Sequence, residues 1–271
     1  MIPAPFTYIR VSSVADALSA LQVHGEEAKL LAGGHSLIPL MKLRLATPQA
    51  LIDISSVNEL VGITLSGNVL RIGAATRHFE IETSEVVRKH VPLLAYTASL
   101  VGDPQVRNRG TIGGSVAHGD SASDLPVSLL ALDAVMTVQG ARGKRAVPAS
   151  EFFLGFWRTA VAPDEVLVHI DVPVTNSGWS YQKFTIRSQD WATVSAAVQG
   201  DAVALGAMAE IPLRARQVEA AIQAGNTVSE ASRLADEGTS PSSDTRASAD
   251  YRRHLARVLV ENALVEAATR R

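Results

Sequence analysis

The chain has 271 residues, 46% of them hydrophobic, so it is long enough for two or three compact lobes with a sizeable buried core. Its 25 basic and 27 acidic residues leave a net charge of −2, which excludes the basic surface of a protein that binds nucleic acid or an anionic membrane. It contains no cysteine, which excludes disulfides and cysteine-ligated iron–sulfur clusters in this chain and fits a reducing cytoplasm.

The first part of the chain, residues 1–57, predicts a small β-α-β unit. Short strands are expected at 6–11, 29–32 and 50–54, where apolar residues cluster. Ser12 or Ser13 can cap a helix that carries Val14, Ala17, Leu18 and Leu21 on one face. The segment 36–45 is expected to be partly helical, interrupted by Pro39.

A second unit is predicted for residues 58–174. Apolar runs at 61–65 and 69–72 flank Ser66-Gly67-Asn68, which is typical of a β-hairpin. Helical patterns follow at 79–88 and 91–101, and then a stretch rich in glycine and aspartate from 102 to 126. Runs at 134–138 and 145–147 flank a turn at 140–143, and 166–172 predicts one more strand, closed by Pro173.

Residues 175–271 predict a third unit, in which strands come before helices. The strands are expected at 181–186, 194–198 and 202–207, and the helices at 214–223 and 249–268. The polar, turn-rich segment 240–250 between the two helices predicts a mobile surface loop.

Three stretches have residues that could bind a ligand. The first, Ala32-Gly33-Gly34-His35-Ser36, follows a strand and precedes a helical turn. Glycines let the backbone approach an anion, free N–H groups can bind it, and a serine adds a hydroxyl. Taken alone, a Gly-Gly pair after a strand is more often a plain tight turn.

The second stretch, residues 107–115, offers another glycine pair beside a hydroxyl, with Arg107 and Arg109 nearby. Two such loops favour a ligand with two phosphates, such as a dinucleotide, although two unrelated turns and solvated or paired arginines are equally compatible with the pattern. In the third stretch, residues 117–126, Asp124 is the best acceptor for a ribose or ribityl hydroxyl, and the alternative is an Asx or Ser turn at a helix cap.

Motifs for other kinds of chemistry are missing from the sequence. It has no G-x-G-x-x-G, no phosphate loop of the G-x-x-x-x-G-K-[ST] type, no H-E-x-x-H and no G-x-S-x-G. Its seven histidines show no metal-ligand spacing. The N-terminus lacks the pattern of a signal peptide, and no run of about 18 apolar residues predicts a membrane span. This pattern is typical of a protein whose chemistry comes from a bound cofactor.

Five collinear segments resemble one family, the FAD-binding medium subunits of carbon monoxide dehydrogenase-like and xanthine dehydrogenase-like molybdenum hydroxylases. They are LLAGGHSLIPLMKLRLATPQALIDIS (30–55), RNRGTIGGSVAHGDSASDLP (107–126), EFFLGFWRTAVAPDEVLVHIDVP (151–173), FTIRSQDWATVSAAV (184–198) and DYRRHLARVLVENAL (250–264). The resemblance implies an α+β chain with a vanillyl-alcohol oxidase/PCMH-type FAD-binding fold. The subdomains would be a βαβ unit at 1–57, a mixed or antiparallel sheet unit at 58–174, and a C-terminal domain of antiparallel strands and helices at 175–271.

The resemblance also implies a set of FAD-binding residues. The pyrophosphate would lie between two groups, Gly33, Gly34 and Ser36 on one side and Thr111, Gly113, Gly114 and Ser115 on the other. Asp124 would bind ribose or ribityl hydroxyls, Leu167 would pack on the isoalloxazine, and Lys183 would lie near its pyrimidine edge. The rest of the set is Ala32, His35, Leu37, Val101, Ser123, Asp190 and Trp191. His35, where relatives often carry Gln or Thr, would face the diphosphate or be a surface residue, and Trp191 would stack near the flavin or be a core or interface aromatic.

The function implied is electron transfer, with no catalytic side chain and no metal site in this chain. A large partner subunit would carry the molybdopterin cofactor, a small one would carry two [2Fe–2S] clusters, and FAD in this subunit would pass electrons to NAD⁺, a quinone, a cytochrome or oxygen. The complex is expected to be a cytoplasmic dimer of heterotrimers whose substrate is selected by the large subunit. Two alternatives are a stand-alone FAD-dependent oxidoreductase and a nucleotide-binding scaffold without redox activity.

Overall fold

The N-terminal part of the protein is a parallel β-α-β unit in the computed structural model, which describes residues 2–270. Its elements are β1 (Thr7–Arg10), α1 (Val14–His24), β2 (Ala28–Leu31), α2 (Leu37–Lys42) and β3 (Ala50–Asp53). The strand order is β1-β3-β2, with both outer strands parallel to β3. Helix α1 begins at Ser13, whose hydroxyl accepts the N–H of Asp16 at 3.0 Å. The predicted β-α-β arrangement is confirmed.

A five-stranded antiparallel sheet with order β4-β5-β10-β6-β7 forms the centre of the molecule. Its strands are β4 (Ile63–Ser66), β5 (Val69–Gly73), β6 (Val135–Gly140), β7 (Gly143–Pro148) and β10 (Val166–Pro173). The helices around it are α3 (His78–Thr83), α4 (Glu85–His90), α5 (Pro92–Ser99), α6 (Pro104–Arg107), α7 (Ile112–His118), α8 (Asp124–Ala131) and α9 (Ala149–Phe152), and β8 (Phe153–Gly155) pairs with β9 (Arg158–Thr159). The hairpin predicted at 61–72 and the two runs predicted around the turn at 140–143 are both present, as β4–β5 and β6–β7.

Strand β10 joins the N-terminal unit to this central sheet. Its register against β6 shifts between Leu167 and His169, so one extra residue, Val168, bulges out of the ladder. Three consecutive side chains are therefore buried: Val166 and Val168 pack into the core of the β-α-β unit, and Leu167 packs into the core of the central sheet.

The C-terminal part is a four-stranded antiparallel sheet with order β11-β12-β13-β14, covered by helices. The elements are β11 (Trp179–Phe184), β12 (Val194–Gln199), β13 (Ala202–Gly206), β14 (Leu213–Arg214), α10 (Arg216–Gln223), α11 (Val228–Ser232) and α12 (Ala249–Thr269). One side of this sheet meets α12 in a core of its own, while Tyr181, Ala197 and Ala204 reach the central core. The C-terminal sheet thus packs on helices α5 and α8 of the central unit. Of the helices within residues 2–270, none is both long and apolar enough to cross a membrane.

The helical region after β5 differs in detail from the prediction. The single helical pattern expected at 79–88 is two helices, because Ser84 leaves the helical conformation (φ −65°, ψ 120°) and its hydroxyl caps α4 by accepting the N–H of Val87 at 3.3 Å. The stretch rich in glycine and aspartate contains three short helices, α6, α7 and α8. Two of them have polar N-caps, Asp103 and Thr111, that accept backbone N–H groups.

The segment 240–250, predicted to be mobile, is hydrogen-bonded to α12. Arg252 donates from Nη2 to Asp244 at 2.8 Å and from Nη1 to the carbonyl of Thr193, and its side chain is only 6% exposed. We expect Arg252→Leu to lower the free energy of unfolding by about 2–3 kcal/mol, because two hydrogen bonds to a charged donor are lost and the carbonyl of Thr193 is left without a partner. Urea denaturation followed by circular dichroism measures this loss.

The neighbouring arginine supplies the control. Arg253 pairs with Asp250 near the surface, where the aspartate side chain is 95% exposed. Exposed pairs contribute at most about 1 kcal/mol, so Arg253→Leu should change the free energy of unfolding by about 0.5 kcal/mol or less. If both variants lost the same free energy of unfolding, the hydrogen bonds of Arg252 would not be what holds segment 240–250 in place.

Candidate functional site

A cavity of about 450 Å³ opens where the β-α-β unit, the central sheet and the C-terminal sheet meet. This is within the size range of sites for small molecules and cofactors. Every member of the predicted FAD-binding set lines it: Ala32, Gly33, Gly34, His35, Ser36, Leu37, Val101, Thr111, Gly113, Gly114, Ser115, Ser123, Asp124, Leu167, Lys183, Asp190 and Trp191. The structure therefore brings together residues that are as much as 159 positions apart, from Ala32 to Trp191.

The first glycine loop connects β2 to α2 and leaves backbone donors free. Among residues 2–270, no hydrogen bond uses the backbone N–H of Gly33, Gly34, His35 or Ser36 as its donor. Gly34 has a φ of +79°, a left-handed conformation that favours glycine. A run of unpaired backbone N–H groups at a turn forms a concave donor site suited to an anion.

The second glycine loop is the start of helix α7. Thr111 caps the helix, since its hydroxyl accepts the N–H of Gly114 at 3.1 Å. Gly113 is packed so closely on Ala74, the residue after β5, that an added Cβ would lie 2.5 Å from the Ala74 Cβ and 2.6 Å from its carbonyl oxygen. Glycine at this position lets the first turn of α7 lie directly against the backbone after β5.

The two loops touch each other. An added Cβ on Gly33 would lie 2.2 Å from the backbone oxygen of Arg109 and 2.8 Å from the Cα of Gly110. The free donors of the first loop and the N-terminal turn of α7 therefore face one corner of the cavity, the glycine-loop corner. The backbone N–H groups of residues 112–115 are all bonded within the protein, so the second loop offers hydroxyls rather than free N–H groups. The tight-turn alternative accounts for each loop alone but does not explain why both line the same cavity while the N–H groups of the first stay unpaired.

Neither of the two arginines of the second stretch lines the cavity. Arg107 is paired with Glu82 at 2.8 Å and also donates to the carbonyl oxygens of Val101 and Gly102, both at 3.3 Å. Its role is to hold the loop before the glycines. Arg109 is exposed and does not line the cavity.

A buried ionic group lies on the wall between α8 and β11. Asp124 accepts from Lys183 Nζ at 2.9 Å and from the Tyr181 hydroxyl at 2.7 Å, and the side chains of the ion pair are 7% and 9% exposed. Burial raises the pKa of Asp124, and the Lys183 ammonium opposes that shift. Burial and the Asp124 charge raise the pKa of Tyr181 well above its ordinary value, so its hydroxyl stays protonated and donates.

The Lys183 ammonium keeps one donor free. Besides the bond to Asp124, Nζ donates to the carbonyl of Leu100 at 3.3 Å. An ammonium has three N–H donors, so one remains for a ligand in the cavity. Because the charge of Lys183 is offset by Asp124, the pair presents a directed donor rather than an isolated positive charge.

The loop between β11 and β12 carries two of the predicted residues at the rim. Trp191 is 45% exposed, which excludes a place in the protein core and leaves a flavin or interface contact. Asp190 lies beside it, after Gln189 with a φ of +73°. The loop is closed by a bond from the N–H of Thr193 to the carbonyl of Phe184 at 2.8 Å. His35 is also exposed, with Nδ1 3.3 Å from the carbonyl oxygen of Gly33.

Two histidines on the wall were missed as site residues by the sequence reasoning. His118, at the end of α7, stacks on Trp157 with ring centroids 5.5 Å apart, and burial lowers its pKa while Asp120 opposes the shift. Burial, His35 and Arg107 lower the pKa of His78 to about 4. His118 could have been found from the sequence, because it lies inside the third stretch. Nothing in the local sequence around His78 points to a site. The other lining residues missed are mostly apolar or glycine, namely Leu30, Leu31, Leu40, Ile54, Ala74, Gly102, Val106, Gly110, Ala117, Val161 and Val166, together with Lys29 and Gln189.

Comparison with known proteins gives matches over nearly the whole chain. Residues 4–175 match the family of the FAD binding domain in molybdopterin dehydrogenase, and residues 179–267 match the CO dehydrogenase flavoprotein C-terminal domain. The carbon monoxide dehydrogenase medium chain of Hydrogenophaga pseudoflava is 41% identical over 97% of both chains. The 6-hydroxypseudooxynicotine dehydrogenase complex subunit alpha of Paenarthrobacter nicotinovorans is 36% identical, over 100% of this chain and 97% of that one.

A solved structure is equally similar. Carbon monoxide dehydrogenase from Hydrogenophaga pseudoflava, in a form that lacks the Mo-pyranopterin moiety of its molybdenum cofactor, contains a chain with a TM-score of 0.95 and 42% identity. The match covers 100% of this chain and 99% of that one. The similarity therefore extends over the β-α-β unit, the central sheet and the C-terminal sheet alike.

Proposed function

The chain belongs to the family of FAD-binding medium subunits of molybdenum hydroxylases, and from this premise we propose that its central cavity holds FAD along the two glycine loops. The observation that carries the proposal is the contact between those loops, with Gly33 packed against Arg109 and Gly110. One loop with unpaired N–H groups and a second loop that adds the hydroxyls of Thr111 and Ser115 meet at one corner, which suits a ligand with adjacent phosphates.

The residues present fit this cofactor. The unpaired backbone N–H groups of the first loop can bind a diphosphate, which is an acceptor with no donors of its own. Ser36, Thr111 and Ser115 add hydroxyls to the wall of the cavity. At the other wall the free donor of Lys183 and the carboxylate of Asp124 offer hydrogen bonds to polar groups of a ligand. The apolar wall between them suits an aromatic ring system.

Each residue of the set has a proposed role. Gly33, Gly34 and Ser36, together with Thr111, Gly113, Gly114 and Ser115, bind the diphosphate, with Ala32, His35 and Leu37 beside them. Asp124 accepts from ribose or ribityl hydroxyls through the lone pairs that Lys183 and Tyr181 leave unused, with Ser123 next to it. Leu167 packs on the isoalloxazine, Lys183 donates to its pyrimidine edge, and Val101, Asp190 and Trp191 close the site.

Bound FAD supplies an electron carrier between the [2Fe–2S] clusters of a partner subunit and an external acceptor. The chain's own contribution is to bind and orient. Val166 and Leu167, just before the bulge in β10, both line the cavity and make this wall apolar. Tyr181 and Asp124 fix the Lys183 ammonium, so that its remaining donor has one direction. The acceptor side is the rim formed by the β11–β12 loop, where Trp191 is partly exposed.

The organisation of the chain and its complex follow from the same premise. We propose a βαβ FAD-binding subdomain at 1–57, a second FAD-binding subdomain at 58–174 and a C-terminal domain at 175–271, each containing one of the larger sheets. The chain acts as the medium subunit beside a large molybdopterin subunit and a small iron–sulfur subunit. Assembly as a dimer of heterotrimers is a proposal that the mass of the purified complex checks. A cytoplasmic location stays a prediction that cell fractionation checks.

The test separates this function from the two alternatives. The purified full chain should be yellow or turn yellow with added FAD, and its absorption band should bleach on reduction. A band that does not bleach would indicate a scaffold without redox activity, and a chain that stays colourless in excess FAD would overturn the proposal. A tagged chain in its native host should co-purify with two further polypeptides, one of them containing molybdenum. Substrate oxidation by the chain alone would instead indicate a stand-alone oxidoreductase.

A further inference from the structure

His78 lies beside the glycine-loop corner without any role in the fold that would explain its polar ring. It is the first residue of α3, 4% exposed, and it lines the cavity. Its backbone N–H donates to the carbonyl of Gly110 at 3.0 Å. The backbone N–H of Ile112 donates to the carbonyl of Thr76, also at 3.0 Å. This short antiparallel pairing fixes His78 alongside the second glycine loop.

The ring is packed on Gly110 by one edge. An added Cβ on Gly110 would lie 2.8 Å from both Cδ2 and Nε2 of His78. Gly110 in turn is the residue that Gly33 approaches, since an added Cβ on Gly33 would lie 2.8 Å from the Gly110 Cα. Gly110 therefore lies between the imidazole and Gly33, at the place where the two glycine loops meet.

One nitrogen of the ring has no hydrogen-bond partner. The Nδ1 atom is buried and has no hydrogen-bond partner among residues 2–270. Burial, His35 and Arg107 lower the pKa of His78 to about 4, so the imidazole is neutral near pH 7 and carries a single N–H. A proton on the enclosed Nδ1 would be an orphaned donor, which buried groups avoid more strictly than an orphaned acceptor. The proton therefore resides on Nε2, at the edge of the ring that faces Gly110.

We propose that His78 is a binding residue for the FAD diphosphate, donating a hydrogen bond from Nε2–H to a phosphate oxygen beside the glycine loops. The inference rests on the proposed function and adds a side-chain donor to a site otherwise built from backbone N–H groups and hydroxyls. A phosphate diester oxygen is an acceptor only, so it matches a neutral imidazole whose single N–H points away from the enclosed nitrogen. Because Gly110 has no side chain, it does not separate the Nε2 edge of the imidazole from a phosphate at the glycine-loop corner.

The test compares FAD affinities of matched variants of the full chain after its flavin has been removed. His78→Phe keeps a planar ring without a donor, and His78→Gln keeps an N–H at a similar distance from the backbone. His169→Phe is the control, because His169 is a partly buried imidazole on β10 that does not line the cavity. Flavin fluorescence gives the dissociation constants, and competition with ADP, which carries the diphosphate without the flavin, gives a second reading.

We expect His78→Phe to raise the dissociation constant of FAD by roughly 10-fold to 100-fold, as for a lost hydrogen bond to a charged group. ADP should lose affinity by the same factor, His78→Gln should recover most of it, and His169→Phe should bind as the wild type does. Wild-type affinity in His78→Phe, an equal loss in His78→Gln, or unchanged ADP affinity would each overturn the inference.

The two proposals fail in different ways. A wild-type chain that binds no FAD contradicts the proposed function, whereas a wild-type chain that binds FAD as tightly as His78→Phe contradicts only the role of His78. The melting temperature of each flavin-free variant shows whether it is folded. If His78→Phe melts early because the ring overpacks, the smaller His78→Ala takes its place with the same expected loss.

Discussion

Alanine at position 33 should weaken FAD binding by roughly 100-fold. The new Cβ would lie 2.2 Å from the backbone oxygen of Arg109 and 2.8 Å from the Cα of Gly110, both of them backbone atoms that no rotamer change can move. The two glycine loops would have to separate, and overpacking of this kind costs up to about 3 kcal/mol, with each 1.4 kcal/mol worth a factor of ten in affinity. Titration of the flavin-free chain with FAD measures the change.

Gly155→Ala is the matched control for that variant. An alanine Cβ there would meet the Arg158 side chain at 3.7 Å and 3.8 Å, which is ordinary van der Waals contact, and Gly155 does not line the cavity. Its affinity for FAD should stay within about a factor of two of wild type. If Gly33→Ala bound FAD as tightly as Gly155→Ala does, the diphosphate would not lie where the two loops meet.

Breaking the buried ion pair between α8 and β11 should produce the largest loss of stability. Asp124→Ala leaves the Lys183 ammonium in a side-chain environment only 9% exposed, with the carbonyl of Leu100 as its remaining partner. Removing one member of a buried pair typically costs about 3–5 kcal/mol, because the other charge is left uncompensated. Urea unfolding of the flavin-free chain measures this free energy, and it avoids the added stability that a bound ligand confers.

The double variant distinguishes an uncompensated charge from simple loss of packing. Asp124→Leu combined with Lys183→Met removes both charges and keeps much of the apolar volume, so the variant should lose less free energy of unfolding than either single variant. Asp124→Leu alone should resemble Asp124→Ala, and so should Lys183→Met alone, since Asp124 would keep only the Tyr181 hydroxyl as a partner. Losses that simply add would indicate that the two side chains contribute independently and that the pair is not coupled.

Both effects concern positions whose environment the local sequence does not reveal. The family resemblance predicts separate ligand contacts for Asp124 and Lys183, and the structure shows that they are hydrogen-bonded to each other at 2.9 Å. They are 59 positions apart, on a helix of the central unit and a strand of the C-terminal one. Since α8 and β11 have no local pattern that predicts their packing, the bond could not be foreseen from spacing.

The helices and strands also differ in how far the local sequence predicts them. The hairpins at residues 63–73 and 135–148 were predicted because turn residues separate two apolar runs, a signal contained within about ten residues. Helices α6 and α7 in the stretch rich in glycine and aspartate were not, because they are only four and seven residues long and a helical period does not show over so short a run. Helix α7 forms there because Thr111 caps it and Gly113 allows contact with Ala74, and that contact is tertiary.

The kinds of elements, the two glycine loops and, through five collinear segments, the family of the protein could all be predicted from the amino-acid sequence. Hydrophobic periodicity, turn residues and motif identity are local properties, so a single chain is enough to read them. Only the tertiary structure decided that Gly33 touches Gly110, that Lys183 bonds to Asp124, and that His78 lies beside the glycine-loop corner with an unpartnered nitrogen. These depend on how the three units pack on one another, which brings distant residues together by burying surface that no local pattern specifies.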